Sequence, residues 1–317
     1  MQGRFSKIIK IIFLLSCCSS WAATSRQTSA LSKLAQKQIV VVIPSYNTEK
    51  WCHNTLQTVI SQNYENYRVV FIDDSSQDDT LNCATSFLKS KNIPFESIMF
   101  NDSGLSIMEA TKLFKHRMLK AKNHKWIIIH NQNRCLSLEN IYRTILSCPD
   151  DAIIALLDGD DWLAYNRVFH DINKIYSKKD VWLTYGSFLE YPVVQVGSDW
   201  AWTTAIPKNI IQHNLFRACP IPSAMRTFYA ALFKKINIDD LLYKGKFFPV
   251  GWDAAIMFPM IEMAGNRHYF MRKVNYIYNT ANEINDFKIN PALQRDVDQI
   301  IRKKPRYKKI SSLQPNH

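Results

Sequence analysis

The stretch IVVVIPSYNTEKWCHNTLQTVISQNYENYRVVFIDDSSQDDT, residues 39–80, decides the fold. Its first five residues, Ile39 to Ile43, are β-branched and continuously apolar, as in a parallel strand covered on both faces. Pro44 ends the run. Residues 49–62 then follow a helical pattern, with Thr48 placed to cap it. A second apolar run, YRVVFI, ends in Asp73 and Asp74, and a second helix is expected around Asp79 to Lys89. Strand, helix, strand, helix in this order predicts parallel pairing.

The alternation continues downstream. IPFESIMF (93–100) and KWIIIH (125–130) read as third and fourth strands, with a helical stretch at 104–122 between them. LSLENIYRTILSC (136–148) reads as a helix and AIIALL (152–157) as a fifth strand. The expected fold class is α/β, a mostly parallel central sheet flanked by helices in a Rossmann-like arrangement. In such a sheet ligands bind beyond the carboxyl ends of the strands, where loops converge and helix N-termini present free N–H groups. Three polar clusters fall there: PSYN (Pro44 to Asn47), DDSSQDD (Asp73 to Asp79) and DGDD (Asp158 to Asp161).

A chain of 317 residues suits one large α/β domain. Its 47% hydrophobic content is ordinary for a globular chain and too low for a polytopic membrane protein. The net charge of +13 favours anionic partners such as phosphates or lipid head groups. Nucleic acid is not expected among them, and a peripheral membrane contact stays open. Part of the charge sits in RKKPRYKK (302–309), which reads as a solvated, poorly ordered terminus.

The N-terminus has the order of a secretory signal peptide or membrane-anchor leader. Basic Arg4, Lys7 and Lys10 precede a short apolar run, Ile11 to Leu15, and then small residues, with Ser20 and Ala22 at cleavage positions. This predicts a secreted or membrane-associated protein; the cytoplasmic face of a membrane stays open too. Outside the leader, Cys52, Cys83, Cys135, Cys148 and Cys219 are odd in number and show no zinc spacing, so most are expected as small core residues. The expected boundaries are a leader at 1–23, a linker at 24–38, the main domain at 39–282 and a basic C-terminal tail at 283–317. Within the domain, 39–165 is expected as one half and 166–282 as the other.

Two carboxylates one residue apart at a strand end can share Mg2+ or Mn2+, which prefer hard oxygen ligands and leave positions for phosphate oxygens. Without an ion, such a pair about 5 Å apart at an effective dielectric of about 20 repels by on the order of 3 kcal/mol. Gly159 between the acids lets backbone and diphosphate approach closely. The plainer alternative is an acidic turn capping the next helix. Tyr46, just past a strand, suits a platform for a nucleobase, or is a packed loop aromatic. Asp73 and Asp74 can accept hydrogen bonds from base or ribose, or form an Asx-type turn with Ser75 and Ser76.

Residues 39–80 followed by AIIALLDGDDWL (152–163) resemble the family 2 glycosyltransferases of the GT-A fold, whose strands end in P-x-Y-N, in D-D-x-S-x-D-x-T and in a DxD. The resemblance covers about Ile39 to Asn279. It implies a nucleotide-sugar donor, most often uridine-linked, with Mn2+ or Mg2+ as cofactor. On the matching positions it implies that Pro44, Tyr46 and Asn47 bind the donor, with Tyr46 against the base. Asp73 or Asp74 reads the base, Asp158 contacts ribose or metal, Asp160 is the principal metal ligand, and Asp161 supports them from behind.

Further along, Asp253 in FFPVGWDAAIMFPMIEMAG (247–265) matches the family's base, although Trp252 stands where a Glu is usual. Glu262 is a second candidate beside it. Arg226 and Arg134 are candidates for the donor phosphates, and Trp200 and Trp202 for sugar contact. The implied reaction is sugar transfer to a hydroxyl of a glycan, lipid or protein, metal-dependent and inverting, with a carboxylate base. Two rivals stand beside it. One is a non-catalytic nucleotide-sugar-binding protein of the same fold; the other is a nucleotidyltransferase, against which PSYNTEK lacks the phosphate-loop glycines.

Overall fold

The computed structural model describes residues 34–192 and 204–314, apart from the side chains of residues 286 and 287. The expected leader, most of the linker, Trp200 and Trp202 lie outside the described residues. From Lys37 onward the described chain gathers into one compact unit.

Strands β1 (Ile39–Ser45), β2 (Tyr67–Asp73), β3 (Phe95–Phe100), β4 (Trp126–Asn131), β5 (Ile153–Leu156), β6 (Trp162–Leu163), β7 (Leu183–Tyr191) and β8 (Thr227–Tyr229) belong to one sheet. β9 (Leu242–Tyr243) and β10 (Lys246–Phe247) pair separately, and β11 (His268–Asn279) completes the sheet of nine in the order β3-β4-β2-β1-β5-β8-β7-β11-β6. The first five in that order are parallel, as the alternation of strands and helices requires. Only β8 and β6 run against their neighbours.

Every residue of β1 is buried, because β2 and β5 flank it and helices cover both faces. Alternate side chains feed different cores. Val40 and Val42 join Val70, Ile72, Ile127, Ile129 and Ile154 under helices Ile107–Lys120, Leu136–Leu146 and Trp252–Ala264. Ile39, Val41 and Ile43 join Val69, Phe71, Ile128 and Ile153 under helices Glu49–Ile60, Thr80–Ser90 and Val168–Lys178. The register then sets the site: Ser45 lies opposite Asp73 and Leu156 opposite Val42, so the three polar clusters emerge along one edge. Thr48 occupies the cap position of its helix, yet its side chain makes no cap hydrogen bond.

The segment expected as a loose basic tail is instead part of the body. It forms helix Pro291–Lys303, whose Val297 and Ile301 enter the core beside helix Trp252–Ala264, and then a strap along that helix. Ile310 N donates to the Met263 carbonyl at 3.0 Å, and Tyr307 N to Glu262 Oε2 at 2.9 Å. Several of the charges that suggested solvation are hydrogen-bonded within the chain: Arg302 to the carbonyls of Arg217 and Cys219, Lys304 to that of Asp239, Arg306 to that of Asn214. Among the described residues no helix is long and apolar enough to cross a membrane. The five cysteines from Cys52 to Cys219 are free thiols.

Candidate active site

The DGDD turn leaves β5 pressed against the end of β1. Gly159 N donates to the Pro44 carbonyl at 3.1 Å, and a Cβ at Gly159 would fall 2.1 Å from Ser45 Oγ. From below, the buried Thr55 hydroxyl lies 3.0 and 2.7 Å from the carbonyls of Gly159 and Asp161. The chain then enters β6, which pairs with the far end of β11 because the β7–β11 register shifts between Met271 and Tyr276. Past that bulge, the end of β11 and the turn after it deliver three residues to the acids. Tyr276 Oη donates to Asp161 Oδ2 at 2.6 Å and lies 3.3 Å from Asp158 Oδ2. Asn279 N donates to Asp161 Oδ1 at 2.7 Å, and Asn282 Nδ2 to Asp160 Oδ2 at 2.6 Å.

These partners do not offset the crowding of charge. Desolvation, then the Asp160 carboxylate, pushes Asp158 up to about 7, with Arg226 opposing. Desolvation also raises Asp160, against its hydrogen bond from Asn282. Asp161, fully buried, is raised well above the carboxylate range by desolvation and by both neighbouring acids.

Among the described residues no three His, Cys, Asp or Glu side chains are arranged to hold a metal ion by themselves. Asp158 and Asp160 line an open cleft, however, and two carboxylates suit an ion that fills its shell with phosphate oxygens and water.

That cleft holds about 370 Å3 and brings Pro44, Tyr46, Asp158, Asp160, Asp161, Arg226 and Asp253 onto one surface. The Arg134 guanidinium lies 3.6 Å from the centre of the Tyr46 ring. On the facing wall, Asp253 stands in the first turn of helix Trp252–Ala264, entered through Gly251 at φ +65°. Its Oδ2 accepts from Arg226 Nη2 at 2.9 Å, and Arg226 packs over Trp252 with 5.1 Å to the ring centre. Arg226, expected on the donor phosphates, is thus the partner of the candidate base. Trp252, in the place of the family's Glu, is the surface against which that partner rests.

Asn47, Asp74 and Glu262 serve structural partners, and Asp73 is buried with one oxygen left over. Asn47 accepts from Gln77 N at 2.7 Å and braces the first loop against the second. Asp74 is a structural cap: its oxygens accept from Asn131 Nδ2, Cys135 N and Leu136 N, fixing the start of helix Leu136–Leu146. Asp73 is buried, with Oδ2 2.8 Å from His130 Nδ1 and Oδ1 without a hydrogen-bond partner. Glu262, expected beside the site, is fully buried in a two-bond ion pair with Arg217, at 2.7 and 2.9 Å. Nine positions from Asp253 amount to about two and a half helical turns, which puts Glu262 on the opposite side of the helix.

Tyr276, Asn279 and Asn282 stand outside the strand-end motifs that mark the rest of the site. The alternation of β11 signals a strand, but no local motif announces a partner 115 residues away. His268, at the other end of β11, binds the Gly265 carbonyl and has no part in the site.

Residues 40–108 match the model of the family described as Glycosyl transferase family 2. The search of curated proteins returned no match. Among solved structures, S. aureus TarS is similar with a TM-score of 0.54 at 14% identity, over 83% of this chain and 39% of that one. S. aureus TarS 1-349 in complex with UDP-GlcNAc gives 0.52 at 15%, over 83% and 65%. The same fragment in complex with UDP gives 0.52 at 14%, over 77% and 60%. The chain thus spans less than two thirds of each of these relatives. At such identities the likeness establishes the fold, that of the GT-A glycosyltransferases, as the strand-end motifs implied.

Proposed function

We propose that this chain is a glycosyltransferase that moves a sugar from a nucleoside diphosphate sugar, uridine-linked, to an acceptor hydroxyl. The observation that carries the reading is the meeting, on one cleft, of the aromatic ring of Tyr46, the uncompensated acids of DGDD and the Asp253 carboxylate. The fold shared with TarS, solved with UDP and with UDP-GlcNAc, supports the donor class.

Tyr46 offers its ring to the base. Asp73 keeps one buried oxygen without a hydrogen bond, a state that a base N–H relieves, whereas both oxygens of Asp74 already accept hydrogen bonds. Asp160 and Asp158 are the residues that would hold Mn2+ or Mg2+, which supplies Lewis-acid stabilisation of the departing diphosphate. Asp161 and Tyr276 fix those acids from behind. Arg134, exposed at the cleft, is within the donor's reach for a phosphate contact.

Asp253 takes the proton of the acceptor hydroxyl as that oxygen attacks the anomeric carbon from the side opposite the leaving group, which inverts the configuration. Arg226 orients the carboxylate for this step through its 2.9 Å bond.

The test is thermal melting across nucleotide sugars with and without Mn2+, since a ligand that binds only the folded form raises the melting point. A rise with uridine-linked donors that requires Mn2+ and vanishes in Asp160→Ala is expected; no shift with any nucleotide defeats the reading. Asp253→Asn should lose sugar transfer and keep UDP affinity. Unchanged turnover would remove Asp253 as the base.

A further inference from the structure

A second cavity, of about 390 Å3, adjoins the first and shares Gly251, Asp253 and Gln294 with it. Its other walls come from Ile221 and from helix Pro291–Lys303, through Arg295, Asp298 and Arg302. The Asp253 carboxylate therefore stands at the border between two spaces, one holding the acids of DGDD and the other bounded by the C-terminal helix.

The two spaces differ in charge: the first is lined by Asp158, Asp160, Asp161 and Asp253 against Arg134 and Arg226, the second by Asp253 and Asp298 against Arg295 and Arg302. In the second cavity each acid already has an arginine: Asp253 pairs with Arg226 at 2.9 Å, and Asp298 with Arg302 at 2.7 Å. Arg302 is further held by two backbone carbonyls. Arg295 is exposed and has no hydrogen bond or ion pair with any described residue. One guanidinium is left over. The donor cleft has carboxylates in excess and would take a cation; in its neighbour the charges balance, and because Asp253 is paired with Arg226 of the first cleft, Arg295 stands without a carboxylate partner.

We propose that the second cavity holds the acceptor, and that Arg295 selects acceptors carrying a negative charge, phosphate or carboxylate, near the hydroxyl to be glycosylated. This rests on the donor reading above. A hydroxyl lying in this cavity borders the Asp253 carboxylate, which lines both spaces, so that base and acceptor stand within hydrogen-bond reach of each other. The planar guanidinium fork matches either anion with paired hydrogen bonds. Gln294, common to both cavities, is placed to contact donor and acceptor together.

The experiment is calorimetric titration of the full chain, saturated with UDP and Mn2+ so that phosphates do not enter the donor cleft. The probes are glucose, glucose 6-phosphate and glucuronic acid. At least one charged sugar should bind about fivefold more tightly than glucose, the size of one partly screened charge contact, and the two arms report which anion is preferred. In Arg295→Glu, and more mildly in Arg295→Gln, that advantage should disappear while the melting temperature stays at the wild-type value. Equal binding of the three sugars, or an advantage that persists in Arg295→Glu, overturns the proposal. Failure of the chain to bind UDP with Mn2+ counts against the preceding function instead.

Discussion

At Gly159 the missing side chain is what lets two strands close on the site. A Cβ there would sit 2.7 Å from Ser45 Cβ and 3.0 Å from Ser45 Cα, so the turn cannot stay in place with any other residue. Gly159→Ala should cost about 1–3 kcal/mol of stability in urea unfolding, the range for overpacking, and should weaken UDP binding by moving Asp158 and Asp160. Tyr276 poses the opposite case, a large side chain wholly buried so that one hydroxyl can reach Asp161. Tyr276→Phe removes that donor from a buried acid and should lower the unfolding free energy by about 1–3 kcal/mol. The acids and their glycine were legible in the sequence because strand, turn and charge lie within a dozen residues. Tyr276, Asn279 and Asn282 were not, since a bulge in β11 and its pairing with β6 bring them there. Asp74 misled for a related reason: its neighbours in sequence suggest a local turn, whereas its hydrogen bonds run to the end of β4 and the start of helix Leu136–Leu146.

Among the elements, helix Trp252–Ala264 does two tasks on two faces. Its first turn shows Asp253 to the cleft, and everything from Ala254 to Ala264 is buried. A stretch this evenly apolar has no face for solvent, so a charged residue within it must find its partner inside the protein. Glu262 finds Arg217. Glu262→Ala should therefore destabilise the fold by about 3–5 kcal/mol, as expected for a broken buried ion pair, read by chemical denaturation. Limited proteolysis should at the same time open the strap near Tyr307, whose N–H loses its acceptor. The parallel order of β1 to β5 was readable from alternation alone. The reversal of β8 was harder to read, because its three residues carry too few side chains to show a period.

For the molecule as a whole, the charge of +13 proved a poor guide to its C-terminal segment. Composition counts cations but does not tell a solvated lysine from one bonded to a carbonyl, and Val297 and Ile301 are too few to outweigh the neighbouring charges in a linear reading. A chain ended after Asn290 uncovers helix Trp252–Ala264, and it should give markedly less soluble protein and stronger binding of an apolar dye than the full chain. The strap has a consequence for synthesis. Ala264 precedes Ile310 by 46 residues, so at about 5–20 residues per second the most apolar helix waits about two to nine seconds on the ribosome for its cover. During that interval the side of the helix that meets Val297, Ile301 and the strap stands open, and the yield in a cell should fall when chaperones that shield apolar surface are depleted.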